Sequence, residues 1–553
     1  VNGADSPILN RIVKNIHYLL CKYWIVVCVG WRLLSSLQEV ILHRILYMTM
    51  FLIFILLFQL KYKYWHKTMY VFWWMVIVYS MLVLIIMYGI QFSYIYNWLD
   101  NSTLSRDLIA DLGLKQYHTG ELYKFLLPPT IYIIIVIMQV RYFHKDFKEM
   151  SNLDRYSGND HPYDMAETFN VDDSRTGWRF KLVQQWNNVS KMWAVISSCL
   201  WRLAEVHIHK FVAFIIIIVA VSDVSLIGAV YVIIVAVCFP FSGCCDYLSH
   251  FAQVWTMLVL LSKMIFQLKS VDIPYFLTNC TATDNSSKPL PEYFDKTIDL
   301  APWLGLYKAG GVENFRKYIG ILVILILERV IKYHQTQYFK KPGVIKPKDN
   351  IIFPRIKRTD ADKGIKNCIM YLMNYSFYRF GLEVCYIMTA ITICVRVDVF
   401  AVIYAIFLGI SLCLSRRRNK VIWIFYMIIL IILIIIQYIS SLGLPMWLCT
   451  DYPWVEKFNK LEKFLHLPNF HDPPSATKLI TDFLQLLFVT LQWRVFHTEP
   501  THPLDESNPS DMYDGGDNLD IINEVEANAK IHVEDFTREI KSYLDVLKNF
   551  VFV

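Results

Sequence analysis

The 34 residues at positions 208–241 are almost wholly apolar and are interrupted once, at Ser222-Asp223. A helix that crosses the hydrocarbon core of a bilayer needs about 20 apolar residues. The run is too long for one crossing, and it is polar at its middle. A single tilted helix carrying Asp223 through the membrane centre would lose about 2.5–3.5 kcal/mol on insertion scales. The run therefore predicts two helices joined by a very tight turn, with Asp223 at the water interface. Residues 380–414 repeat the device, split by Arg396-Val397-Asp398 and closed by the basic run Arg416-Arg417-Arg418-Asn419-Lys420. Residues 17–60 form a looser version, interrupted around Ser35 to Glu39. A unit used three times is the mark of a repeat protein.

Of the 553 residues, 55% are hydrophobic and 15% aromatic, and the mean hydropathy is +0.37. Long uncharged runs recur along the chain, which excludes a soluble globular class, and they are continuous rather than alternating, which excludes a β-barrel. The net charge of +7 does not point to nucleic acid, because the basic residues sit in short loops beside apolar runs, as the positive-inside bias requires. The expected fold class is all-α: a polytopic membrane protein of tandem four-helix transmembrane units joined by amphipathic interfacial linking helices.

The expected order is a lead-in at 1–17, a first four-helix unit at 18–144, and a cytoplasmic linker with an amphipathic helix at 145–206. A second unit follows at 207–339, then a basic cytoplasmic linker at 340–374, a third unit at 375–498, and a linker at 499–553 that opens a further unit. The chain begins on Val1 and ends on Phe550-Val551-Phe552-Val553, so it is expected to be an internal piece of a longer protein. Within the first linker, Leu182, Trp186, Val189, Trp193, Ile196, Leu200 and Leu203 advance by fours and threes, a pattern shared by a two-stranded coiled coil and a helix lying in the membrane interface, and Trp178, Trp186 and Trp193 favour the interface. Pro128-Pro129 is expected near the start of the fourth helix, where proline is least disruptive.

Several residues are candidates for particular roles. Asn101, Asn279 and Asn285 occupy glycosylation sequons in loops expected outside. Lys340, Lys341, Lys346, Lys348, Arg355, Lys357, Arg358, Arg416, Arg417 and Arg418 are candidates for anionic lipid headgroups, at about 1 kcal/mol each near the surface. Lys263 and Glu328 are ionisable groups within apolar segments, and such groups are functional candidates by default. They form a candidate intramembrane pair, with outward snorkelling of Lys263 as the competing arrangement. Q-x-R-x-F-H ends the fourth helix of units one (139–144) and three (492–497), and Gln91, Gln267 and Gln437 stand near the ends of the third helices. The twelve cysteines show no CxxC pair or zinc-ligand spacing, so no metal and no cofactor is expected. No nucleophile elbow, P-loop or zincin motif is present, so no enzyme is expected.

Val71-Phe72-Trp73-Trp74, Asp111-Leu112-Gly113-Leu114 leading to Gly120-Glu121-Leu122-Tyr123, and Gln139-Val140-Arg141-Tyr142-Phe143-His144 resemble the blade of Piezo mechanosensitive channels. So do Tyr378-Arg379-Phe380-Gly381-Leu382-Glu383-Val384-Cys385 and Cys449-Thr450-Asp451-Tyr452-Pro453-Trp454. The resemblance implies a homotrimeric, force-gated, non-selective cation channel of the plasma membrane. The blade senses tension among membrane lipids, and the pore that passes the cations lies elsewhere in the parent subunit. No pore residue is transferable to this stretch. A multipass solute transporter and a structural membrane scaffold are the rival classes. Four crossings per unit place both chain ends in the cytoplasm and the loops 96–125, 269–317 and 441–474 outside. Asn188 and Asn374, in sequons on the cytoplasmic side, should then remain bare.

Overall fold

A computed structural model describes residues 7–36, 40–100, 106–117, 119–152, 178–271, 277–279, 297–308, 313–338, 364–445, 448, 452, 454 and 475–498. Two compact units are formed, one from residues 1–201, 211–344 and 442–451, the other from 202–210, 345–441 and 452–553. The first holds the helices expected for the first two four-helix groups, and the second those of the third group.

The chain opens with α1 (Pro7–Ser36), α2 (Leu42–Leu60), α3 (Tyr62–Gly89), α4 (Ser93–Asp100) and α5 (Arg106–Asp111). Only Lys61 separates α2 from α3, so the basic, aromatic residues 62–67 form the first turns of α3. α6 (Thr119–Met138) runs through a π turn, Gln139–Phe143, into α7 (His144–Met150). α6 starts nine residues before Pro128, so the proline pair does not mark its beginning as expected. Both prolines are interior, so neither can donate a backbone bond to the carbonyls of Lys124 and Phe125.

These helices close on aromatic rings. Phe54 and Phe72 stack with centroids 4.0 Å apart, Phe51 meets Phe72 edge-on at 5.5 Å, and Trp73 is fully buried beside them. Trp24 of α1 donates its indole N–H to the Ile135 carbonyl of α6 at 3.1 Å, which satisfies the one polar atom of a ring otherwise used for packing.

α8 (Trp178–Ser222) is followed by α9 (Leu226–Cys238) and α10 (Cys245–Phe266). The apolar run is thus broken where Ser222-Asp223 predicts. Ser225 caps α9 by accepting the Gly228 N–H at 3.2 Å, which satisfies one of the donors that every helix start leaves free. Gly305 makes the turn possible: its φ is +94°, and a Cβ there would lie 2.8 Å from the Ser225 hydroxyl. The linking helix expected at 178–206 is not separate. It is continuous with the first span of the second group, because no glycine or proline stands between Trp178 and Ser222.

A two-stranded antiparallel ribbon, β1 (Leu277–Asn279) with β2 (Thr297–Asp299), pairs Thr278 with Ile298; it is the one sheet among the described residues. The short α11 (Ala301–Leu304) and then α12 (Glu313–Tyr338) follow. The second compact unit carries α13 (Ile365–Arg396), α14 (Val399–Cys413), α15 (Arg416–Leu442) and α16 (Ala476–Thr498). α13 bends by 70° between Tyr378 and Phe380. Sharp kinks have local causes, and Ser376 and Gly381 flank this one.

Seven helices among the described residues are long and apolar enough to cross a membrane, or eight when the two arms of the bent α13 are counted as one span. α12 has the length, at 26 residues, but carries Glu328, Arg329 and Lys332. The helices after the tight turns are short. α9 has 13 residues and α14 has 15, or about 20 and 23 Å at 1.5 Å per residue. Both fall below the hydrocarbon thickness of about 30 Å.

Candidate functional site

The densest polar cluster lies in the second compact unit, at the break expected from Arg396-Val397-Asp398. α13 ends at Arg396, and Val397 takes the left-handed conformation (φ 47°), a costly one for a β-branched residue. Asp398 then caps α14, accepting the Ala401 N–H at 3.1 Å. The turn folds the Arg396 guanidinium back into the bundle. Its Nε donates to Asp398 at 3.2 Å, and its Nη1 donates to Gln437 of α15 at 2.8 Å and to Asp482 of α16. Tyr404 of α14 donates to Asp482 at 3.3 Å and accepts from Gln437 at 3.4 Å. Arg396, Tyr404, Gln437 and Asp482 are all buried. One guanidinium is therefore shared by two carboxylates, and all four helices of the group meet on it.

A second layer lies along the same bundle. Gln485 of α16 donates to Thr389 of α13 at 3.3 Å and to Tyr426 of α15. Thr389, Tyr426 and Gln485 are buried as well. What the cluster can do chemically is fix the relative rotation of four helices, since each contributes a directional bond that a turn of its helix would break.

The equivalent break in the first compact unit uses a simpler pair, in which Lys317 of α12 meets Asp223 at 3.0 Å. Nearby, Lys263 of α10 lies over the rings of Tyr318 at 4.7 Å and Tyr307 at 5.7 Å. Glu328 is held elsewhere: it accepts the Ser249 hydroxyl at 2.6 Å and meets Lys332 at 3.3 Å. Glu328 is ten residues beyond Tyr318 on α12, about 15 Å of rise. The structure does not bring Lys263 and Glu328 together. The lysine is instead drawn toward the end of its helix, where aromatic faces receive the charge.

Of the other candidates, Asn101 and Asn285 lie outside the described residues, as do Lys340, Lys341, Lys346, Lys348, Arg355, Lys357 and Arg358. Asn279 ends β1. Arg416, Arg417 and Arg418 form the first turn of α15; Arg416 lies 5.4 Å from the Phe496 ring, and Arg418 donates to Ser415 at 3.4 Å.

The repeated glutamines have a use that their spacing alone did not disclose. Gln91 donates to the Lys115 carbonyl at 3.2 Å and accepts the Tyr117 N–H at 3.0 Å, so it ties the end of α3 to the following loop. Gln267 donates to the Tyr307 carbonyl in the same manner, and Gln437 joins the arginine cluster. In Q-x-R-x-F-H, Gln139 and Gln492 are both fully buried. Neither amide has a hydrogen-bond partner among the described residues.

One polar contact was missed on the sequence. Asp111, at the end of α5, accepts the N–H groups of Lys269 at 2.8 Å and Ser270 at 2.7 Å, joining the loop after α3 to the loop after α10. Burial pushes its carboxyl up, but the two backbone donors outweigh this and hold it below the usual carboxylate range. At the opposite ends of these helices, Tyr333 of α12 meets the rings of Tyr62 at 4.8 Å and Phe58 at 5.9 Å. Tyr62 also donates to the Ser151 carbonyl at 2.5 Å.

These features define an all-α polytopic membrane protein whose described polar groups join its helices. Comparison with known proteins makes the assignment particular. A family model described as Piezo TM1-24 matches residues 2–149. The mouse Piezo-type mechanosensitive ion channel component 1 is 29% identical over 98% of this chain, and the human protein of that name 28% identical over 98%. The Piezo-type mechanosensitive ion channel component of Drosophila melanogaster is 30% identical over 99% of the chain. The chain is similar to these Piezo-type proteins along nearly its whole length, and it spans 23–24% of theirs.

Proposed function

We propose that this chain is part of the membrane-embedded, tension-sensing blade of a mechanically activated, non-selective cation channel of the plasma membrane. The observation that carries the reading is the similarity to Piezo-type relatives along 98–99% of the chain. It is supported by tandem helical groups whose polar residues are turned inward. The parent subunit assembles as a homotrimer, and cations pass through a pore supplied outside these residues. Membrane lipids are the immediate partners, and both ends of the stretch face the cytoplasm.

The physical case rests on area. Groups that contact mainly their neighbours form a quasi-one-dimensional array, which can curve. Flattening a curved array increases its in-plane area, and tension multiplied by that increase is the differential free energy that any two-state shift requires. The short α9 and α14 add a local demand for bilayer thinning, and tension thins bilayers. The arginine cluster keeps its helix group rigid, so bending concentrates between groups.

Two recordings test the reading. The chain alone, reconstituted in a clean bilayer under stretch, is expected to pass no current; a stretch-activated current would overturn the placement of the pore. The chain exchanged for the matching stretch of the mouse relative is expected to preserve a stretch-activated current. A correctly trafficked chimera that opens independently of tension would remove the sensing role.

A further inference from the structure

Where α1 meets α7, three side chains with different donor atoms converge. His17 Nε2 lies 3.0 Å from Asp146 Oδ2 and 3.4 Å from Cys21 Sγ, and Cys21 Sγ lies 3.7 Å from Asp146 Oδ2. His17 and Cys21 are one helical turn apart, so α1 presents both on one face. Asp146 arrives from the helix that continues α6. Packing fixes the approach: Phe143, just before α7, sits 5.0 Å from the Trp24 ring and 6.3 Å from the His17 ring. The Cys21 thiol is fully buried, whereas the side chains of His17 and Asp146 are 53% and 47% exposed.

These distances match the edges of a coordination tetrahedron. Ligands at about 2.0–2.3 Å from a zinc ion stand about 3.3–3.6 Å from one another, and the observed edges of 3.0, 3.4 and 3.7 Å bracket that range. The donor set is one sulfur, one nitrogen and one oxygen. Thiolate and imidazole favour zinc and neighbouring transition metals over calcium or magnesium, which take oxygen ligands. With the thiol deprotonated, the thiolate and carboxylate balance a divalent cation, so the filled site adds no net charge to a partly buried position.

We infer that His17, Cys21 and Asp146 form a three-ligand site for a divalent transition metal, zinc first, with a fourth position open to water. Bound metal would pin the middle of α1 to the segment that leaves α6, tying two helices of the first group together with bonds far stronger than the hydrogen bonds present there. The inference stands on the side-chain geometry and is independent of the channel reading.

The test uses the full chain in detergent, stripped with chelator and then dialysed against zinc. Elemental analysis should find one zinc equivalent more in the wild type than in Cys21→Ser or His17→Gln. Cobalt, used as a spectroscopic substitute, should give a thiolate-to-metal charge-transfer band. The band should vanish in Cys21→Ser, persist in Cys28→Ser one heptad away, and persist with shifted ligand-field bands in Asp146→His. If Cys21→Ser fails to fold, His17→Gln, altered at a half-exposed position, decides on the same two readouts. Equal zinc content in the wild type and His17→Gln, or a cobalt spectrum without a charge-transfer band, overturns the inference.

Discussion

The arginine cluster predicts an asymmetry between two substitutions that remove one charge each. Arg396 faces two carboxylates, Asp398 with a side chain 7% exposed and Asp482 with one 0% exposed. Arg396→Met strands both. Asp482 keeps only the Tyr404 hydroxyl at 3.3 Å, while Asp398 keeps its bond from the Ala401 N–H. Removing one partner of a buried ion pair costs about 3–5 kcal/mol, so the loss is expected near 4 kcal/mol. Asp482→Asn has the opposite electrostatic effect, because it leaves one guanidinium with one carboxylate. The amide oxygen still accepts from Arg396 or Tyr404, and the expected loss is that of a single weakened hydrogen bond, about 0.5–1.5 kcal/mol. A double variant, Arg396→Met with Asp482→Leu, should regain part of the larger loss. The assay is reversible unfolding of the full chain by titrating a denaturing detergent into mixed micelles, followed by far-ultraviolet circular dichroism. Equal losses for Arg396→Met and Asp482→Asn, or a double variant less stable than Arg396→Met alone, would refute the shared-guanidinium account.

Gly305→Ala forces a side chain into a left-handed backbone position against the capping Ser225, and should destabilise by about 1–2 kcal/mol from conformation alone; the same titration checks it. Asp111, held below its unfolded value, contributes stability that is fully present above about pH 4 and is lost as pH falls through its lower folded value. Asp111→Ala should therefore reduce stability at neutral pH, and its difference from wild type should shrink only in more acidic solution, as a pH series of thermal melts would reveal. A double-mutant cycle on Lys263 and Glu328 should give no coupling, because each is held by different partners. Expression in cells followed by glycopeptide mass spectrometry should find Asn188 and Asn374 bare; Asn374 is only 3% exposed, and glycan on either residue would overturn the four-crossing unit.

The breaks in the long apolar runs were legible because polar residues there have no alternative place in lipid. Ser222-Asp223 and Arg396-Val397-Asp398 could only be turns, and they are. Less visible was what those polar groups would bind. Arg396 finds Gln437 and Asp482, which are 41 and 86 residues away, and no local period reports such distances. The prolines of α6 misled for a related reason. Local preference places a proline pair at a helix start, yet α6 begins at Thr119 and runs through both prolines. His17 and Cys21 stand at helical spacing, which is a signal of sorts, yet the third donor comes from 125 residues downstream. That spacing alone belongs to no ligand motif.

The length of α8 has a mechanical corollary. A candidate span, Leu200–Ser222, is continuous with the 22 residues Trp178–Cys199, which extend it as an unbroken rod. At 1.5 Å per residue the rod is about 33 Å long. A tilt of about 5° in the span then sweeps the far tip through about 3 Å, on the scale of the helix shifts that operate known switches. A stiff helix of this kind converts a rotation too small to disturb side-chain packing into a displacement large enough to make or break a contact.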